Sequence, residues 1–117
     1  VAYPLFAVVR VPFPFSDRTS VKRRPAVVLS AMEFQDNSGH ALLAMVTTAK
    51  QSSWPLDWPI KRLESTGLSQ PCIVRLKLFT LDDRLILGPL GELASADQIG
   101  VQLNLEKLLP PMGFRAR

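Results

Sequence analysis

The stretch Lys22-Arg23-Arg24-Pro25-Ala26-Val27-Val28-Leu29-Ser30 runs three cations into a proline and then into an unbroken apolar segment. An apolar run this short, without alternation, is the pattern of a strand buried on both faces. A cation anchored at the mouth of a rigid strand holds a phosphate in one fixed place, which a flexible lysine-rich tail does not. Upstream, Ala7, Val9, Val11, Phe13 and Phe15 alternate with Arg10, Pro12 and Pro14, the mark of a half-buried strand. The prolines cannot donate to a ladder, so the end of this strand is expected at a sheet edge. Residues 16–24 between the two are polar and read as a loop.

Downstream, Asp36-Asn37-Ser38-Gly39 is a turn signal that precedes a strand over residues 41–47. Residues 48–58 show no period and read as a loop. Cys72, Val74, Leu76 and Leu78 then alternate with Ile73, Arg75 and Lys77, which predicts a strand whose even positions are buried and whose Arg75 and Lys77 point together to the other side. Same-face neighbours on a strand lie ~7 Å apart, so both cations can touch one nucleic-acid backbone. Residues 84–93 read as another strand, bent where Gly88-Pro89 and Gly91 interrupt it. Ser95 opens a capping box with Gln98, and Ile99, Leu103 and the Leu108/Leu109 pair give a helix that Pro110-Pro111 ends. Val101, Leu103 and Leu105 also alternate, but the cap and the length favour helix. The pattern is a single domain over residues 1–117, mainly β with a C-terminal α-helix, built as a small antiparallel barrel or curled sheet.

At 117 residues, 47% apolar and 21% charged, the chain has the composition of a folded protein. No apolar run approaches the ~20 residues of a membrane span, and Pro4 and Arg10 interrupt the first eleven residues, which argues against a signal peptide. Cys72 is the sole cysteine, so neither an internal disulfide nor a zinc cluster is expected, and a cytoplasmic setting follows. Residues 1–62 hold eight Lys and Arg against four Asp and Glu, whereas residues 63–117 hold six against six. The whole excess of +4 therefore lies in the first half, and Arg18, Lys22, Arg23 and Arg24 fall within seven residues of one another. Such a patch suits a polyanion, although a solvated loop has the same composition.

Most catalytic sets are missing: there is no glycine-rich phosphate loop, HExxH, GxSxG or paired carboxylates at helical spacing. His40 follows a turn glycine and reads as a solvated turn residue, and Cys72 has the parity of the core. Phosphate chemistry without a metal or cofactor remains. In-line attack of a ribose 2′-OH on its neighbouring phosphodiester needs an aligned substrate, charge stabilisation on the phosphorane oxygens and a proton for the leaving oxygen. Arginine serves the charge role because its planar fork binds two phosphate oxygens and it is permanently cationic. Thr47, at a strand end, can add a hydroxyl hydrogen bond.

The segments Val11-Pro12-Phe13-Pro14-Phe15-Ser16-Asp17, Lys22 through Ser30, Val46-Thr47-Thr48 and Val74-Arg75-Leu76-Lys77-Leu78-Phe79-Thr80-Leu81-Asp82 resemble, in order and spacing, those of the MazF/PemK-like toxins of bacterial toxin-antitoxin pairs. The resemblance implies an SH3-like, MazF/CcdB-like barrel, a homodimer, metal-independent cleavage of single-stranded RNA, and silencing by a cognate antitoxin. It implies Arg24 and Thr47 as catalytic residues and Arg75 as a basic position for RNA. It also puts Phe15, Ser16, Asp17 and residues 48–54, with Thr48, Ser53 and Trp54, near the substrate, beside Lys22, Arg23 and Lys77. Two positions depart from the family pattern. Phe6 and Ala7 stand where members carry Gly-Asp, which is expected to remove the local turn, and Lys77 stands where some carry an aspartate proposed as base. A barrel of this family that only binds RNA or protein, or one directed at topoisomerase, is the alternative.

Trp54 and Trp58 can stack on bases or close the barrel or a dimer interface, and the structural role is the expectation for both. A basic groove of this kind suits an acidic or amphipathic, partly disordered partner segment that orders on binding.

Overall fold

The computed structural model describes residues 2–13, 22–50 and 53–113. Val8, Val9 and Val11 on β1 (Ala7–Phe13) and Ala26, Val27 and Val28 on β2 (Lys22–Val28) are all fully buried, on both faces of their strands. The two pair antiparallel, with Val9 opposite Ala26 and Val11 opposite Arg24. The chain continues through α1 (Met32–Ser38), β3 (His40–Thr48), the two-residue β4 (Trp58–Pro59), β5 (Cys72–Asp82), a 3-10 turn at Asp83–Leu85, β6 (Gly88–Glu92) and α2 (Ser95–Leu108). The six strands of the described residues form one antiparallel sheet in the order β4-β5-β3-β2-β1-β6, curled into a half-barrel.

The faces of the sheet carry separate apolar clusters, which is why its central strands read as unbroken runs. Val8, Val27, Ala44, Val46, Val74 and Leu76 pack into one cluster with Phe6, Leu93 and Val101 of α2. Val9, Val11, Ala26, Val28 and Leu43 form the opposite cluster, covered by Tyr3, Phe13, Phe79 and Leu81. The last residues of β1 have no β6 partner, since β6 pairs only with Ala7–Arg10, so Pro12 does lie at a sheet edge. The segment expected as one bent strand from residue 84 divides into the 3-10 turn and β6, and the register with β1 skips Leu90.

Four local expectations are corrected. The loop expected to run through Arg24 does not reach that far, because β2 begins at Lys22 and its first three residues pair with Phe13, Pro12 and Val11. The Asp36–Gly39 signal is the end of helix α1 rather than an isolated turn. Gly39 closes the helix at φ 72°, and its N–H donates to the Gln35 carbonyl at 2.8 Å. Gln35 is fully buried: its Nε2 donates to the Tyr3 and Ser30 carbonyls at 2.8 and 3.1 Å, and its Oε1 accepts the Tyr3 N–H at 2.9 Å. The turn expected to be lost at Phe6 is present. Phe6 adopts φ 70°, with its N–H on the Val28 carbonyl at 2.7 Å and its own carbonyl receiving the Leu93 N–H at 3.1 Å. Helix α2 starts one residue off the expected box: Ala94 is the N-cap, and Gln98 Nε2 reaches back to the Leu93 carbonyl at 2.8 Å.

The face of α2 that packs is not the apolar stripe of its sequence. Asp97, Gly100 and Val101 are buried, whereas Ile99 and Leu103 are exposed. Asp97 is the polar hub of this contact. Its Oδ1 accepts the Trp58 indole N–H at 2.9 Å and the Lys61 N–H at 2.8 Å, and its Oδ2 accepts the Arg62 N–H at 3.0 Å. Trp58 lies against Gly100 so closely that a Cβ there would stand 2.3 Å from its ring.

Candidate RNA-cleaving site

The β2–β3 ladder joins Ala26, Val27 and Val28 to Met45, Ala44 and Leu43. The ladder stops at Ala26 and Met45; Arg24 and Thr47 each lie two residues beyond it on their own strand, paired to Val11 and Ile73 on the outer sides. Beyond the paired residues the strands part, and a cleft of about 530 Å³ opens between them. Lys22, Arg23 and Arg24 line one wall and Thr47 and Thr48 the other, while Pro25, Val46 and Cys72 contribute from the core side. Lys22 and Arg23 are exposed, and Arg24, Thr47 and Thr48 are half-buried. Arg24 shares the Ala26–Val28 face of β2, and its guanidinium carbon lies 6.0 Å from the Phe13 ring centroid, a cation–π distance that orients the fork.

A third wall comes from Leu68, Ser69 and Gln70. The segment before them is fixed by Thr66, fully buried, whose hydroxyl donates to the Leu63 carbonyl at 2.6 Å and accepts the Leu68 N–H at 3.1 Å. Gly67 follows at φ +76°, where a Cβ would meet the Leu90 carbonyl oxygen at 2.1 Å, so only glycine lets the loop lie this close to β6. Ser69 and Gln70 carry no sequence pattern; only the fold brings them to the cleft.

The match to known families bears on this arrangement. Residues 6–109 fit the family model of PemK-like, MazF-like toxins of type II toxin-antitoxin systems. The chain belongs to this family. Solved structures with the same fold include MazF from Deinococcus radiodurans in a MazE-MazF crystal, at 20% identity and TM-score 0.73, covering 93% of this chain and 97% of that one. An endoribonuclease in complex with its cognate antitoxin, from a mycobacterial species, aligns over 99% of this chain and 100% of that one at 16% identity and TM-score 0.73. A MazF toxin of Mycobacterium tuberculosis aligns at 15% identity and TM-score 0.70, over 88% and 95%. No curated protein matches the sequence.

The remaining site candidates of this MazF-like chain separate by environment. Phe15, Ser16 and Asp17 lie outside the described residues. Ser53 and Lys77 are exposed, and Trp54 is 41% exposed. Arg75, expected on an open strand face, is 7% exposed and held by Asp57: its Nε donates to Oδ1 at 3.1 Å and its Nη2 to Oδ2 at 2.9 Å. These hydrogen bonds raise the guanidinium pKa above its ordinary value. Nothing in the sequence ties Asp57 to an arginine eighteen residues away.

His40 is exposed at the opposite end of β3 from Thr47, seven residues and roughly 23 Å away, with Nδ1 3.2 Å from the Ser38 carbonyl oxygen. Burial raises the pKa of the Cys72 thiol, which keeps it neutral. Among the described residues that line the cleft there is neither carboxylate nor imidazole. No group of three His, Cys, Asp or Glu side chains among the described residues is placed to hold a metal ion, and no helix among them is long and apolar enough to cross a membrane.

Proposed function

We propose that this MazF-like chain is a metal-independent endoribonuclease that cuts single-stranded RNA in the cleft between β2 and β3, with Arg24 and Thr47 as its catalytic residues. The observation that carries this reading is that Arg24 and Thr47 line one cleft, beyond the point where β2–β3 pairing stops. The ribose 2′-oxygen attacks the adjacent phosphorus, the bond to the 5′-oxygen breaks, and a 2′,3′-cyclic phosphate and a 5′-hydroxyl result. Arg24 neutralises charge that builds on the non-bridging oxygens, and the Thr47 hydroxyl donates to one of them. Lys22 and Arg23 hold flanking phosphates. The 2′-OH gives up its proton as the new bond forms and the leaving 5′-oxygen takes one up, while alignment and charge stabilisation supply the rate.

The family supports a growth-inhibiting role in the cytoplasm and a cognate antitoxin whose acidic or amphipathic segment covers the basic cleft. The apolar side chains that α2 leaves exposed, Ile99 and Leu103, fit a homodimer. The test is incubation of purified protein with single-stranded RNA in EDTA, beside Arg24→Ala and Thr47→Ala. Cleavage is expected to survive the chelator, to fall about 100-fold or more in Arg24→Ala, and to fall roughly 3- to 10-fold in Thr47→Ala, which removes one neutral hydrogen bond. Thermal melting of both variants stays near that of the parent. Binding of RNA without cleavage selects the non-catalytic barrel instead, and normal cleavage by a folded Arg24→Ala removes Arg24 from the site.

A further inference from the structure

Residues 54–57 form a short turn that closes on itself. The Trp54 N–H donates to Asp57 Oδ2 at 3.0 Å, and the Asp57 N–H donates to the Trp54 carbonyl at 3.2 Å. The same carboxylate takes both arms of Arg75 from the sheet below, so one aspartate ties the turn to β5. Over this anchor lies the Trp54 ring, with the Arg75 guanidinium carbon 6.0 Å and the Lys77 ammonium 4.6 Å from its centroid. The ring is thus fixed from its backbone and from two cations, yet 41% of the residue stays in water. Core packing does not account for a large aromatic held rigid in that way, whereas a stacking platform needs both rigidity and an open surface.

The turn stands beside the catalytic pair. Arg75 is the register partner of Met45, Thr47 is the next residue on that face of β3, and Arg24 lies one strand further across. With ~7 Å between same-face residues and ~4.8 Å between strands, the turn's anchor sits on the order of 10 Å from Arg24 and Thr47. A span of that size takes about one to two nucleotides of extended strand.

We propose that Trp54 stacks on the nucleobase one or two positions from the scissile phosphate, that Lys77 holds the phosphate of that nucleotide, and that Asp57 and Arg75 are positioning residues that lock the platform. This rests on the reading of the cleft as an RNA site. It differs from a direct phosphate role for Arg75, because the Arg75 fork is filled by Asp57. The two roles make opposite predictions for Asp57. If Arg75 bound phosphate itself, loss of the carboxylate would release it to do so; if it locks Trp54, loss of either partner loosens the same ring.

The experiment measures binding of a 2′-O-methyl single-stranded RNA, which cannot be cut, by tryptophan fluorescence, and cleavage kinetics on the ribose RNA. Binding is expected to quench fluorescence in the parent protein, with the quench absent in Trp54→Phe. Trp54→Ala and Asp57→Asn each weaken binding and raise KM roughly ten-fold with kcat within about two-fold, the double variant is no worse, and Trp54→Phe retains most of the affinity. Thermal melts identify any variant that fails to fold, and the parent quench remains as a readout independent of those variants. Binding without quench overturns the platform, as does unchanged affinity in a folded Asp57→Asn. A folded Arg75→Gln that loses kcat rather than KM returns Arg75 to the phosphate. Quench without cleavage of ribose RNA leaves the platform standing and removes the nuclease reading; no binding at all removes both.

Discussion

At position 6 two residue-level forces oppose one another. A left-handed φ of 70° is costly for a side chain with a Cβ, about 1–2 kcal/mol, and glycine relieves it. The Phe6 ring, however, belongs to the core cluster under α2, and truncating a buried phenylalanine costs about 3–5 kcal/mol. The burial term is the larger, which explains how phenylalanine stands where the family pattern has glycine without loss of the turn. Phe6→Gly is therefore expected to lower unfolding free energy by about 2–3 kcal/mol in denaturant titration, despite the easier backbone. A midpoint equal to or above that of the parent would show that strain, not burial, dominates there. The same scale separates two arginines that look alike in the sequence: Arg24 opens onto a cleft, and Arg75 is committed to a carboxylate.

Elements were legible to the extent that their burial leaves a local trace. β1, β3, β5 and the apolar part of β2 declared themselves because side chains buried on one face alternate and those buried on both run together; Lys22–Arg24, the polar start of β2, read as loop instead, and Arg24 and Thr47 were singled out as a pair only by the family resemblance. Helix α1 did not, since it spans only Met32–Ser38 and its one buried side chain, Gln35, is polar. Helix α2 was legible as a helix but not in its facing. Its sequence shows an apolar stripe at Ile99 and Leu103, while the packed face is made by Asp97, Gly100, Val101 and the half-buried Asn104, whose Nδ2 donates to the Leu56 carbonyl at 3.0 Å. Polar contacts of this kind depend on groups brought in by the fold, as does the Asp57–Arg75 pair. Gly100 tests this facing. An exposed Gly→Ala in a helix gains about 1 kcal/mol, but here the new methyl meets the Trp58 ring at 2.3 Å, and overpacking costs about 1–3 kcal/mol. Displacing Trp58 also breaks its bond to Asp97, worth about 1 kcal/mol. Gly100→Ala should destabilise by about 1–3 kcal/mol on chemical denaturation, and a stabilised variant would place α2 differently against β4.

Across the whole molecule the consequence of this geometry is electrostatic. Three cations, Lys22, Arg23 and Arg24, line the cleft where the sheet opens, and a fourth, Lys77, lies beside Trp54. Arg75 contributes little to that field, because Asp57 neutralises it at 2.9 Å. A single strand releases about 0.7 counterion per neutralised phosphate, so four engaged cations give a slope of about −3 in log affinity against log salt. Between 50 and 200 mM salt, affinity for a 2′-O-methyl RNA should then fall about 50-fold. The identity of the cations is tested by how the slope changes: Lys77→Gln should flatten it by about 0.7, whereas Arg75→Gln should weaken binding through Trp54 while leaving the slope unchanged. A slope shallower than about −1 would mean that the basic mouth of β2 does not meet the RNA backbone. A slope that flattens on Arg75→Gln would mean that its ion pair with Asp57 opens when RNA arrives and frees the guanidinium for a phosphate.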